Sequence, residues 1–166
     1  IRDSYITSSQ KKIYNSYLKV RKDRSLNTFL SCGIEHHAIW DDHDFGPNNS
    51  SGLFENASLT TTSFINFWNK FNVRDSGVYE LVHHDKIDFF LTDTRTFYKV
   101  NEGSFLGVNQ LEWLKKSLLH SKAKFKFILF SNQVLNPKTN HETINKGIYK
   151  EEKDILLDFI KRESIN

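Results

Sequence analysis

Methionine is absent from this 166-residue chain, cysteine occurs once and proline only twice. A single cysteine excludes an internal disulfide, so Cys32 carries no information about redox compartment. Long apolar runs are also missing; none approaches the roughly 20 residues of a membrane span. No signal peptide is visible, and because the chain starts at Ile1 its flanks are expected to be trimmed. An excess of one charge sign is nearly missing, with 23 basic against 20 acidic residues. The formal net charge of +3 is spread over lysine-rich faces, whereas nucleic-acid binding calls for a clustered basic stripe. The densest basic stretch, KVRKDR at 19–24, is short and broken by Asp23, and reads as a solvated helix face.

What is present is aromatic and apolar. Hydrophobic residues make up 38% and aromatics 14%, with 14 phenylalanines, enough for the core of one globular domain. Residues 9–23 place Ile13, Tyr14, Tyr17, Leu18 and Val20 at helical spacing. IEHHAIW at 34–40 is short, partly β-branched and apolar, and reads as a buried strand. Loop chemistry follows at 45–57, then a helix with an aromatic face at 59–71. Residues 77–95 read as two strands around a His84-Asp85-Lys86 turn. Residues 106–123 read as a helix with a stripe of Leu111, Leu114, Leu118 and Leu119 beside Trp113. An apolar strand within 124–136 and a last amphipathic helix at 149–163 complete a single α/β domain without repeats.

Three polar clusters each follow directly on an apolar segment: Asp41–Asp44, Asp93-Thr94-Arg95, and Ser131-Asn132-Gln133. In α/β sheets, sites form where strands end, so the three are expected to converge on one crevice. The first cluster is the most unusual. Three carboxylates around His43 repel one another unless a cation, a substrate or solvent sits among them. Helix capping and turn hydrogen bonding are one account. A helix–loop–helix calcium loop fails, because Asn49 stands at the glycine position and Gly46 offers no side chain. A metal site for hydrolysis is the third account, since aspartates are hard oxygen ligands and a histidine supplies or takes a proton. Arg95 suits either a bidentate phosphate contact or a structural ion pair with Asp93. Cys32 reads as a small buried residue. His36 and His37 read as structural, His83 and His84 as solvated, and His120 and His141 as lacking partners.

AIWDDHDFGPN resembles the signature of the PhoD-like alkaline phosphatases, within the calcineurin-like metallophosphoesterase superfamily. The resemblance continues through GVYELVHHDKIDFFLTDTRTFY, FLGVNQLEWLKKSLLHSKAKFKFILFSNQVLN and EEKDILLDFIK, covering nearly the whole chain in order. It implies part of a layered α/β sandwich, with mixed sheets flanked by helices. It implies Asp41 and Asp42 as metal ligands, with Asp42 at the position of the superfamily's metal-binding Asn, and His43 as the residue that assists the leaving oxygen. Asp44, Asn49, Asp93, Arg95, Asn132 and Gln133 are expected to bind phosphate or support the ligands. The implied cofactor is a pair of Ca, Fe, Mn or Zn ions, with Ca and Fe favoured. The implied partner is a phosphate ester, and the family suggests export.

The resemblance also implies ligand blocks outside the chain: an Asp-bearing strand end and a Gly-Asp block before Ile1, and a Gly-Asp-x-His block after Glu163. The segment alone is therefore expected to hold part of a site, to show little activity and to associate through uncovered apolar surface. A non-catalytic scaffold that kept the fold is the alternative reading.

Overall fold

The computed structural model describes residues 10–68, 77–136, 143–144, 147 and 149–166. The predicted His141 and the end of the predicted 59–71 helix lie outside them. Helix α1 spans Gln10–Arg21, and α2 spans Arg24–Leu30. Asp23, the residue that breaks the basic stretch, is the N-cap of α2: its Oδ1 accepts the Leu26 N–H at 3.0 Å. A short α3 covers Asp42–Phe45, and α4 covers Ala57–Trp68. Strands β1 (Glu80–His84) and β2 (Ile87–Leu91) form an antiparallel hairpin, in which Asp85 takes a left-handed backbone at φ 52°. Helix α5 (Gly107–His120) then crosses to β3 (Phe125–Leu129), which pairs parallel with β2, and α6 (Tyr149–Arg162) follows. The sheet order is β1-β2-β3. This is the mixed α/β arrangement expected.

The sequence expectation fails at 34–40. That segment has no regular secondary structure and no ladder partner among the described residues. Apolar β-branched content makes a segment compatible with a strand, but only a neighbouring backbone makes it one. Cys32 is exposed instead of buried, its S–H directed at the Phe29 carbonyl 2.8 Å away. Leu119 is exposed because it lies about 100° round α5 from Leu118, off the stripe. His120 has a partner after all, its Nδ1 donating to the Lys116 carbonyl at 2.7 Å. His83, although exposed, also has one: Asp88, at 2.5 Å.

Among the described residues three hydrophobic clusters hold these elements, the smallest being Tyr98, Phe105 and Ile144. Phe90 of β2 and Ile128 of β3 point to one face of the sheet, where Leu114 and Leu118 of α5 and Leu156 of α6 cover them. The opposite face carries Phe89 stacked on Phe127 at 5.5 Å, with Phe125 and Phe127 each at least half exposed (53% and 50%). The second core joins Tyr17 of α1, Phe64 and Phe67 of α4, Phe45 of α3, Trp40 and Val78. Here the aromatic excess is used: Trp40 meets Phe45 edge-on and Phe64 at a tilt, both at 4.9 Å, the offset geometries that aromatic quadrupoles favour.

Two glycines fix how the loops approach the sheet. Gly52 donates its N–H to the Tyr98 carbonyl at 2.7 Å, and a Cβ there would meet the Thr96 carbonyl oxygen at 2.1 Å. Only glycine lets the 46–53 loop lie against the chain leaving β2. Gly107 opens α5 at φ +74° with Phe97 against it, a backbone conformation that L side chains rarely adopt. Among the described residues no helix is long and apolar enough to cross a membrane.

Candidate active site

Beyond β2 the chain turns through Thr92-Asp93-Thr94-Arg95, all buried. Asp93 is fully buried, and five donors surround its carboxylate. Oδ1 accepts the Trp40 indole N–H at 2.8 Å and the backbone N–H groups of Arg95 and Thr96 at 2.9 Å. Oδ2 accepts the Val78 N–H at 3.0 Å and the Thr96 hydroxyl at 2.6 Å. A buried carboxylate is tolerable only when its lone pairs are filled, and here charge-assisted bonds fill them. The backbone of Asp93 is clamped as well. Gln110 of α5 accepts its N–H and donates to its carbonyl, both at 2.8 Å.

Through Trp40, this joint places the acidic turn. Arg95, 1% exposed, directs Nε at 3.1 Å and Nη2 to Asp41 Oδ1, while Nη1 donates to the Ser50 carbonyl at 3.2 Å. The ion-pair partner given to Arg95 is thus Asp41, and Asp93 receives its backbone N–H. Asp42 is buried; its two oxygens accept the N–H groups of His43 at 2.8 Å and Asn49 at 2.7 Å. Asn49 presents that N–H from a left-handed conformation at φ 60°, which asparagine tolerates better than most residues. Ser50 Oγ closes the loop by donating to the Asp42 carbonyl at 3.1 Å.

His43 is exposed at the first turn of α3. Asp44 lies inward, with Oδ2 3.3 Å from the Asp41 N–H. Burial pushes its carboxyl above the ordinary aspartate value; the Asp41 N–H pulls against this, and the Asp41 and Asp42 charges push with it. Tyr17 donates to the Asp44 carbonyl at 3.0 Å, its phenol pushed up by burial and then by the Asp44 charge.

The third cluster adjoins the second. Thr94 Oγ1 and Ser131 Oγ are 2.5 Å apart, and the Thr92 hydroxyl donates to the Leu129 carbonyl at 2.6 Å. Asn132 is buried beside Ser131. Gln133 is exposed; its carbonyl accepts the Ile144 N–H at 2.9 Å and the Thr143 hydroxyl at 2.8 Å, and its side-chain oxygen accepts from Asn136. The three polar clusters therefore meet at one end of the sheet. Asp41 and Arg95 touch, Trp40 reaches Asp93, and Thr94 reaches Ser131.

Among the described residues no group of three or more His, Cys, Asp or Glu side chains is placed to hold a metal ion. The donor chemistry agrees. Asp41 is compensated by a guanidinium, and both oxygens of Asp42 already accept backbone N–H groups. These residues by themselves do not assemble a ligand set for a metal pair.

No family model matches the chain, and no curated protein matches it in sequence. Among solved structures, one of PhoD matches with a TM-score of 0.53 and 19% identity, over 75% of this chain and 31% of the PhoD chain. The chain has a PhoD-like fold. It spans under a third of the PhoD chain, so the likeness is to a fragment.

Sequence reasoning passed over Gln110, Ser50 and Thr96. Gln110 carried a signal: it stands one turn before Leu114 and two before Leu118, a polar residue on the apolar face of α5. Ser50 acts through its backbone carbonyl and its hydroxyl within turn chemistry that any loop displays.

Proposed function

We propose that this segment is the central part of a PhoD-like phosphoric ester hydrolase. The observation that carries the reading is the meeting of the Asp41–Asp44, Asp93–Arg95 and Ser131–Gln133 clusters at one sheet end in a PhoD-like fold. His43, solvent-facing at the lip of that end, is the proton donor to the leaving oxygen. The Asp41–Arg95 pair and the two N–H bonds on Asp42 hold the turn that carries it. Ser131 and Gln133, backed by the buried Thr94 and Asn132, are the polar wall against which a phosphate ester rests.

A metal pair of the kind the resemblance implies (Ca, Fe, Mn or Zn) polarises phosphoryl oxygens and makes a hydroxide nucleophile when bound. Asp42 is the residue here best suited to contribute a ligand, because each carboxylate oxygen keeps a second lone pair. The remaining ligands are expected outside the described residues. We infer little hydrolysis by the 166 residues alone.

One observation favours the non-catalytic reading. Every carboxylate of the acidic turn already has a structural partner: Arg95 for Asp41, two N–H groups for Asp42, and the Asp41 N–H for Asp44. The two readings separate on His43→Ala, whose side chain leaves these contacts intact. In a protein that carries this segment together with flanking ligand blocks, hydrolysis of bis-p-nitrophenyl phosphate should fall by about 10²–10⁴-fold, the range for loss of a general acid. Equal rates for the variant and the parent would overturn the hydrolase role of His43 and leave the scaffold reading.

A further inference from the structure

At the opposite end of the sheet from the acidic turn lies an open groove of about 750 Å³. Lys86 of the hairpin turn, Lys116 and Ser117 of α5, and Lys122 of the α5–β3 link all line it, together with His83 and His120. Three separate elements thus bring three ammonium groups to one concavity. The lysine ion pairs of the described residues fall elsewhere, on Lys99, Lys115, Lys150 and Lys153.

Part of this has a simpler account. Lys116 and His120 occupy the last turns of α5, where basic side chains offset the carbonyl end of the helix dipole. That account does not reach Lys86 or Lys122, which belong to neither turn of the helix. Glu112, one turn before Lys116, is paired with Lys115 and also feels the Lys116 charge, which leaves Asp88 and Asp85 as the carboxylates lining the groove against three lysines. Asp88 is 4% exposed, and its oxygens are taken by His83 Nδ1 and Ser121 Oγ, both at 2.5 Å. Asp85 is the remaining one, exposed at the turn.

We propose that this groove binds a small, multiply charged phosphate anion. Ammonium groups are compact point donors suited to phosphate oxygens, and a polyanion relieves the repulsion among three of them at once. Ser117 adds a hydroxyl donor on the helix wall of the groove. The surface is open and hydrated, so binding is weak and falls steeply with ionic strength. This site is independent of the one assigned to phosphate-ester chemistry.

The test is a titration of the 166-residue chain with inorganic pyrophosphate at low salt, followed by backbone amide chemical shifts. Saturable shifts are expected at 85–86 and 116–123, and the Lys116→Ala/Lys122→Ala double variant should bind at least roughly fivefold more weakly. Absence of saturable shifts, or an unchanged affinity in the double variant, would overturn the proposal. So would shifts confined to Asp41–Phe45 and Ser131–Gln133; that outcome would support the active-site reading alone, so the two proposals fail separately.

Discussion

Asp88 and Asp93 lie five residues apart, one within β2 and one just beyond it, and both are buried. Their surroundings are opposite in kind. Asp93 is held mainly by the chain itself, through three backbone N–H groups, the Thr96 hydroxyl and the Trp40 indole. Asp88 is held by two side chains, the His83 imidazole and the Ser121 hydroxyl. Backbone donors cannot move away without unfolding a turn, so Asp93 acts as a joint. Side-chain donors rotate out at the cost of one rotamer, so Asp88 is a latch. The joint lies at the candidate active end and the latch at the lysine-lined end.

The strongest way to break this contrast is Asp93→Ala. Five donors lose their acceptor in a site with no water access, and unfolding stability should drop by about 3 kcal/mol or more. Urea denaturation measures it, and a loss below about 1 kcal/mol would show that the joint is replaceable. Trp40→Phe removes one donor while keeping an aromatic ring in the core. We expect a loss of about 1.5–3 kcal/mol, the range for a hydrogen bond to a charged group. At the other end, Asp88→Asn should cost only about 0.5–1.5 kcal/mol, because its partners can turn to solvent.

The pH dependence sharpens the same comparison. Burial works to raise the Asp88 carboxyl, but hydrogen bonds from Ser121 and His83, with the His83 and Lys126 charges, hold it below the usual value of 3.8. Its folded pKa is lowered, so its stabilisation is complete above pH 3.8 and is lost as pH falls through the folded value. Asp44 has the reverse sign. Its folded pKa is raised above 3.8, so its favourable contribution is present below that pH and is lost as pH rises through the folded value. The smallest effect follows. Asp44→Asn should raise stability by a few tenths of a kcal/mol, up to about 1, at neutral pH. It should leave stability at pH 3 nearly unchanged, as thermal unfolding at the two pH values will register. A variant less stable at pH 7 would show that the Asp41 N–H bond outweighs burial.

Much of the fold was legible where a face repeats. The stripe of Leu111, Leu114 and Leu118 marks α5, and the alternation around Asp85 marks the hairpin, because both patterns record burial on one side. Residues 34–40 misled because strand pairing depends on a neighbouring backbone, which local composition does not encode. In the candidate site, the acidic turn stood out through its own charge density. The Arg95 partner did not, since Asp41 and Arg95 are 54 positions apart and the nearby Asp93, the aspartate expected from the sequence, offers the same chemistry. Gln110 was readable as a polar intruder on an apolar face, although its target, the Asp93 backbone, was not. Asn49 acts through its N–H, which every residue but proline also carries.

The Asp93 joint also dates the site in the life of the chain. It ties a residue 53 positions upstream, another 15 upstream and a third 17 downstream. The β1–β2 hairpin, closed by a short turn, can form within microseconds of synthesis. The joint must wait until residues 40 to 110 have all emerged and the long loops between them have closed. Until then an aspartate, a tryptophan and a glutamine are each exposed without their partners. The Gln110 clamp on the Asp93 backbone is therefore the last of these ties that the growing chain can make.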